Sequence, residues 1–270
     1  MENNLSLTLD ALASSGIVLS TEQKAAFTVS IPLKKAEAAL KSLSLFGKIA
    51  TLNGKDYFIA QGKGKAYYFD NKLEAETKFF YTQDCVKWLD LNPVDAETAK
   101  RCGTISTTMS GDPSQVYTVT EPAPKDETAE EAPAEEGEEP AEEEEPATVS
   151  FEYTELQRLQ TMIELIKTET GIAPKDAYVT TGDNDVILNK TFAGLEYPEK
   201  LDSYVLAEGK SLSDDLPGSW SLHYDSFSST AIVRSLLWPG HAFYYSGETN
   251  SWGSLYFGAG MKNTEFIFMR

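Results

Sequence analysis

The chain has 270 residues, of which 41 % are hydrophobic and 11 % aromatic, enough to bury a core as one large domain or two lobes. With 23 basic against 42 acidic residues the formal charge is -19, a field that argues against nucleic acid and bare anionic membrane as partners. The two cysteines, Cys85 and Cys102, match no metal or redox spacing and read as free intracellular thiols, and no apolar run reaches a membrane span or a signal peptide.

Chain order begins with a helical pattern: Leu5, Leu9 and Leu12 fall on one face, and Gly16 suits a helix end. Ser20 and Gln23 have capping-box spacing, which predicts a second helix that bends or stops near Pro32. A third helix is expected from about Lys34 to Leu45, with Ala36, Ala39, Leu40 and Leu43 facing inward. KIATL, Asn53-Gly54 and KDYFIA then predict a hairpin closed by a two-residue type I′ turn. KFFYT at 78–82 is strand-like, a helix is expected from Pro93 to Arg101, and Gly111-Asp112-Pro113 marks a turn before the strand VYTV.

From Glu121 to Ala147 thirteen acidic residues stand against one lysine, with no large apolar side chain. This segment therefore holds twelve of the nineteen excess negative charges, and its composition predicts a disordered, self-repelling linker. It divides a helical and hairpin lobe at 1–120 from a sheet lobe at 148–270. In the second lobe Thr154 and Gln157 predict another capped helix, with Leu156, Leu159, Ile163 and Ile166 on one face until Gly171 and Pro174 end it. AYVT, DVILN, GSWSLHY, TAIVRSLLW, HAFYYS, GSLYFGAG and EFIFM follow as strands separated by turns, an antiparallel meander. The fold class is α+β.

Chemistry-bearing patterns are sparse. His223 and His241 have no second ligand at metal spacing, so no metal site is expected. Ser228, Asp225 and His241 lie in one region but without a nucleophile elbow, and the paired glycines at 62–64 and 258–260 lack the third glycine of a dinucleotide fingerprint. What stands out is the stretch 234–263, with two tryptophans, three tyrosines and two phenylalanines. Rings alternate onto both faces of these strands, which requires cover on both sides, supplied by the chain's own layers or by another protein. Trp220, Trp238, Phe243, Tyr244, Tyr245, Trp252, Tyr256 and Phe257 are the candidate partner-binding residues. The sheet from Gly218 to Phe268 is expected to supply much of an assembly surface, with exposed tyrosines such as Tyr244 and Tyr256, while Trp238-Pro239-Gly240 forms a corner.

GSWSL at 218–222, VRSLLWPGHAFYY at 233–245 and YFGAGMKN at 256–263 resemble the carboxy-terminal signature of the radial spoke head protein 9 family, and DYFIAQG at 56–62 and GDPS at 111–114 agree in wording and order. The resemblance implies a non-catalytic, cofactor-free structural subunit of the radial spoke head in the axoneme of motile cilia and flagella. It implies as partners the other spoke head proteins of the 4 and 6 type, with transient contact to the central-pair apparatus and relay toward the dynein arms. The acidic insert is longer than the family leads one to expect. It leaves open the alternative of an acidic adaptor or chaperone-like protein, and the ring-rich region that of a small-molecule enzyme.

Overall fold

The computed structural model describes residues 5–69, 72–122, 148–180, 186–207, 209–265 and 268. Two helices open the chain, α1 (Leu5–Leu12) and α2 (Thr21–Glu37). Leu9 and Leu12 are buried as the spacing predicts, and Gly16, at φ 81°, ends the short 3-10 turn after α1. Ser20 and Gln23 make both bonds of the capping box. The expected third helix does not form. Instead, α2 runs through Pro32 to Glu37, Ala39 turns the chain at φ 50°, and Ser42–Ile49 is strand β1. The alternation Ser42-Leu43-Ser44-Leu45 has the period of a strand, and it places Leu43 and Leu45 against the α2 side.

Strand β1 is followed by β2 (Tyr57–Phe69), β3 (Lys72–Thr82) and β4 (Leu89–Leu91), paired in sequence as an antiparallel meander. The β1–β2 connection is not the two-residue turn expected at Asn53-Gly54: Ile49 pairs with Tyr57, leaving residues 50–56 as the loop, and of that dipeptide only Gly54 has positive φ. The loop amides find partners elsewhere. Leu52 N–H and Asn53 N–H donate to the carbonyls of Met109 and Ser110, and Thr51 N–H donates to the Asp56 carboxylate. Then come α3 (Ala96–Gly103) and the hairpin of β5 (Val116–Pro122) and β6 (Thr148–Thr154). Glu121 and Pro122, assigned to the acidic insert on composition, are ladder residues of β5, and Glu121 holds Arg101 at 3.1 Å. The rest of the insert, 123–147, lies outside the described residues.

Helix α4 (Glu155–Glu169) carries its predicted capping box at Thr154 and Gln157. Three short strands follow, β7 (Ile172–Pro174), β8 (Tyr178–Thr180) and β9 (Val186–Leu188), and β10 (Tyr204–Leu206) pairs back on β7. A second meander closes the fold, made of β11 (Trp220–Asp225), β12 (Thr230–Ser235), β13 (His241–Ser246) and β14 (Ser251–Gly258). The expected strand EFIFM falls largely outside the described residues.

The two meanders are one sheet. Its order is β11-β12-β13-β14-β1-β2-β3-β4, and the only parallel contact in it is β14 with β1, through Gly47–Ile49 and Tyr256–Gly258. Strands from before and after residues 123–147 therefore share one ladder. On one face α1 and α2 cover Phe58, Phe80, Ile232, Ala242, Tyr244 and Leu255. On the other, the stripe Leu159, Ile163 and Ile166 of α4 packs on Ile49, Tyr57, Ile59, Trp238 and Tyr256, each of these three α4 side chains contributing roughly 1.5–3 kcal/mol by burial. Beyond α4 the same face is closed by Tyr204 and Leu212 over Phe243, Tyr245, Ala231 and Val233.

Two glycines permit the central junction. A Cβ on Gly47 would stand 2.0 Å from the Tyr256 carbonyl oxygen, and one on Gly240, whose φ is 100°, would stand 2.1 Å from that of Phe257. Gly47→Ala and Gly240→Ala are each expected to lower stability by about 1–3 kcal/mol or more, read as a shift in the urea midpoint. Pro122 and Thr148 are cross-strand partners. Replacing residues 123–147 with Asn-Gly should therefore leave the fold intact and raise stability by about 2 kcal/mol through a shorter closed loop, measured in the same way.

Candidate assembly surface

Six of the eight candidate partner-binding rings lie in the interior. Trp220, Trp238, Phe243, Tyr244, Tyr245 and Tyr256 are all buried, and the polar atoms of the five that carry one have partners inside the chain. Tyr244 OH lies 3.5 Å from Thr8 Oγ1 beneath α1. Tyr245 OH accepts from Leu195 N–H and donates to Asn250. Burial pushes the Tyr256 phenol up to about 12, and its oxygen accepts from Gly260 N–H. Trp220 Nε1–H donates to Asp215 at 2.6 Å and Trp238 Nε1–H to Glu169 at 2.7 Å. The expectation that Tyr244 and Tyr256 are exposed is thus corrected: they are 2 % and 1 % exposed, because the chain's own helices supply the second layer that rings on both faces require. Only Trp252 and Phe257 of the eight reach the surface, both half-buried. The Trp238-Pro239-Gly240 corner is present, with His241 N–H bonded to the Trp238 carbonyl and Phe257 N–H to that of Gly240.

Sequence reasoning missed the most heavily bonded group. Glu155, the first residue of α4, is fully buried. Its Oε1 accepts from Tyr57 OH and Gly111 N–H, and its Oε2 from Ser110 N–H, Ser110 OH and Tyr117 OH, all within 2.6–2.8 Å. Burial pushes this carboxyl upward, but the hydroxyls of Ser110, Tyr117 and Tyr57 together with the Ser110 amide outweigh it and hold it below the ordinary range. Five donors saturate both oxygens, so the carboxylate fastens the turn at 110–111 and two tyrosines to the helix start and has no lone pair left for proton transfer. The signal available was the capping box beside an acidic residue and the GDPS turn. One turn further on, buried Arg158 donates to the Ile105 and Thr107 carbonyls.

Ser228 OH donates to Asp225 at 2.7 Å within the β11–β12 turn, whereas His241 starts β13 at the opposite end of those strands. The three do not meet. Among the described residues no three His, Cys, Asp or Glu side chains converge as metal ligands, and no helix is long and apolar enough to cross a membrane.

The exposed apolar surface lies elsewhere. Hairpin β8–β9 presents Tyr178, Val179, Ile187 and Leu188, each between 39 % and 46 % exposed. A two-stranded hairpin is marginal by itself. It is held at its base by Asn189 N–H on the Ala177 carbonyl and the Asn189 amide on that of Asp176, and by Tyr178 standing edge-on to Trp252 with ring centres 6.3 Å apart. Tyr178 pairs with Leu188 on one face and Val179 with Ile187 on the other, so the hairpin offers exposed apolar side chains on both faces, a feature of surfaces that contact another protein.

Two pH windows follow from the buried groups. Burial pushes the His241 imidazole down to about 3 from 6.5, so between those values the unfolded chain binds a proton that the folded chain refuses. Stability should fall as pH drops below 6.5, by about 2 kcal/mol at pH 5, and His241→Phe should flatten that slope. Glu155 has a depressed folded value, so its contribution is present above about pH 4.5 and is lost as pH falls through the folded value. Glu155→Gln turns an amide NH2 or carbonyl toward donors already fixed in place. It should cost at least about 3 kcal/mol at pH 7 and remove this lower acid limb, with both variants read by denaturant titration across pH.

No family model matches the chain. It is 35 % identical over 291 residues to the Radial spoke head protein 9 homolog of Xenopus tropicalis, covering 98 % of both chains. It is 31 % identical over 292 residues to the Mus musculus protein of that name and 30 % over 292 residues to the Homo sapiens one, covering 99 % of each.

Proposed function

We infer that this chain, which belongs to the radial spoke head protein 9 family, is a non-catalytic structural subunit of the radial spoke head in the axoneme of motile cilia and flagella. The observation that carries the inference is the similarity along 98 % or more of both chains. The interior agrees with this role: its one five-donor carboxylate and its tyrosine hydroxyls are spent on holding the sheet and helices together. In this reading the subunit is needed for head assembly with spoke head proteins of the 4 and 6 type. Through the head it takes part in mechanical signalling between the central pair and the dynein arms.

We further propose that the parts before and after the insert act as one body, because the β1–β14 ladder joins them, and that hairpin β8–β9 is a main contact with a neighbouring subunit. Aromatic and large aliphatic side chains there supply area on binding, and their truncation typically costs 1–3 kcal/mol, on the order of tenfold or more in affinity.

The test is affinity purification of the tagged chain from detergent-extracted axonemes. Enrichment of spoke head proteins of the 4 and 6 type is expected, and recovery without them would sink the assignment. In the same assay Val179→Glu with Ile187→Glu should reduce co-purification at least about tenfold at an unchanged melting temperature. Tyr244→Ala should instead lower stability by about 3–5 kcal/mol even without a partner, since it empties a buried site.

A further inference from the structure

The parallel ladder between β1 and β14 is short. It joins Gly47 to Tyr256, Lys48 to Phe257 and Ile49 to Gly258, and stops. Continued backwards in the same register it would set Ser44 opposite Gly253, but no pairing forms there, although both strands extend further, to Ser42 and Ser251. Each strand is paired on its outer side, β1 with β2 over Ser42–Leu45 and Gly47–Ile49 around a bulge at Phe46, and β14 with β13 from Ser251 to Tyr256. The sheet therefore forks, and two unpaired strand edges face one another across the gap. Two connected spaces occupy this fork, of about 780 and 630 Å³, and both are lined by Ser44, Gln61, Lys63 and Ser254.

The lining has a charge of its own. Among the described residues Lys35, Lys63 and Lys167 stand in these walls and no aspartate or glutamate does. Lys167 is partly buried, and burial with Lys63 nearby pushes its ammonium below the ordinary value, as expected where positive charge is gathered. Between the lysines the walls mix Ser42, Ser44, Gln61 and Ser254 with apolar Leu43, Ile172 and Trp252.

We propose that the fork is a docking slot for an extended acidic segment of another protein, which adds as a strand against the open edges of β1 and β14 and meets Lys63 and Lys167 with its carboxylates. Strand addition satisfies backbone groups that an open edge leaves to water, and alternating side chains supply the selectivity. About four or five residues span the open length of the fork at ~3.3 Å each. Tyr178 and Leu188 of hairpin β8–β9 form part of its wall, so the slot borders that proposed contact, but the strand edges that take the peptide are those of β1 and β14.

The probe is a soluble eight-residue peptide alternating glutamate with valine, set against the same peptide with lysine for glutamate and one with a central proline. It is added to the purified full chain, with amide hydrogen exchange and fluorescence anisotropy as readouts. Slowed exchange at both 42–46 and 251–255 is expected with the glutamate peptide alone, with affinity falling as salt rises. Lys63→Gln with Lys167→Gln should weaken binding at least about tenfold at an unchanged melting temperature. Absence of protection at about 1 mM peptide overturns the proposal, as does equal binding of the lysine peptide. Two other occupants would overturn it as well. A second copy would appear as concentration-dependent dimerisation that protects the same amides, and the chain's own acidic residues as faster exchange there once 123–147 is replaced by Asn-Gly.

Discussion

The contact on which the rest depends is three residues long: the parallel pairing of β1 with β14 at Gly47–Ile49 and Tyr256–Gly258. Each four-stranded meander alone would expose a strand edge and two faces. Joined, they make one eight-stranded sheet wide enough for α1 and α2 on one side and α4 on the other. The approach is so close that a methyl group at position 47 would overlap the Tyr256 carbonyl. Trp238 anchors the same junction from the α4 side, its indole N–H on Glu169, whose other oxygen holds Lys262 at 2.7 Å.

Much of this was legible where the cause is local. Both capping boxes, at Ser20 and Thr154, form as spaced, and the strands of the second meander fall where their alternation and turn residues put them. Errors arose where a distant segment decided. Leu40 and Leu43 fit a helical stripe equally well, but pairing of Ser42–Ile49 with β2 and β14 selected the strand. Asn53-Gly54 is a strong turn signal in isolation, yet hydrogen bonds to Met109 and Ser110 drew the loop into a longer path.

The site was legible as composition and not as placement. Rings on both faces of β13 and β14 do need two covering layers, and the sequence contains those layers, but amphipathic helices of eight to seventeen residues do not announce which sheet they will cover. Counting exposed rings therefore pointed to the core. The modest apolar residues of β8–β9, without a single tryptophan, are among those open to solvent. Glu155 was hidden for a related reason: its five donors come from residues 57, 110, 111 and 117, which no spacing rule connects.

The junction also sets an order of events during synthesis. Gly47 leaves the ribosome some two hundred residues before its partner Tyr256, so for most of translation the inner edge of β1 has no strand beside it. Nascent chains and any product truncated before the last meander share that open edge, with the hydrophobic faces that flank it. Sheet closure waits for the last meander, is dominated by a contact of very long sequence separation, and is slow compared with the local hairpins. Truncations that lose β14 should therefore be removed as misfolded chains instead of persisting as partial subunits.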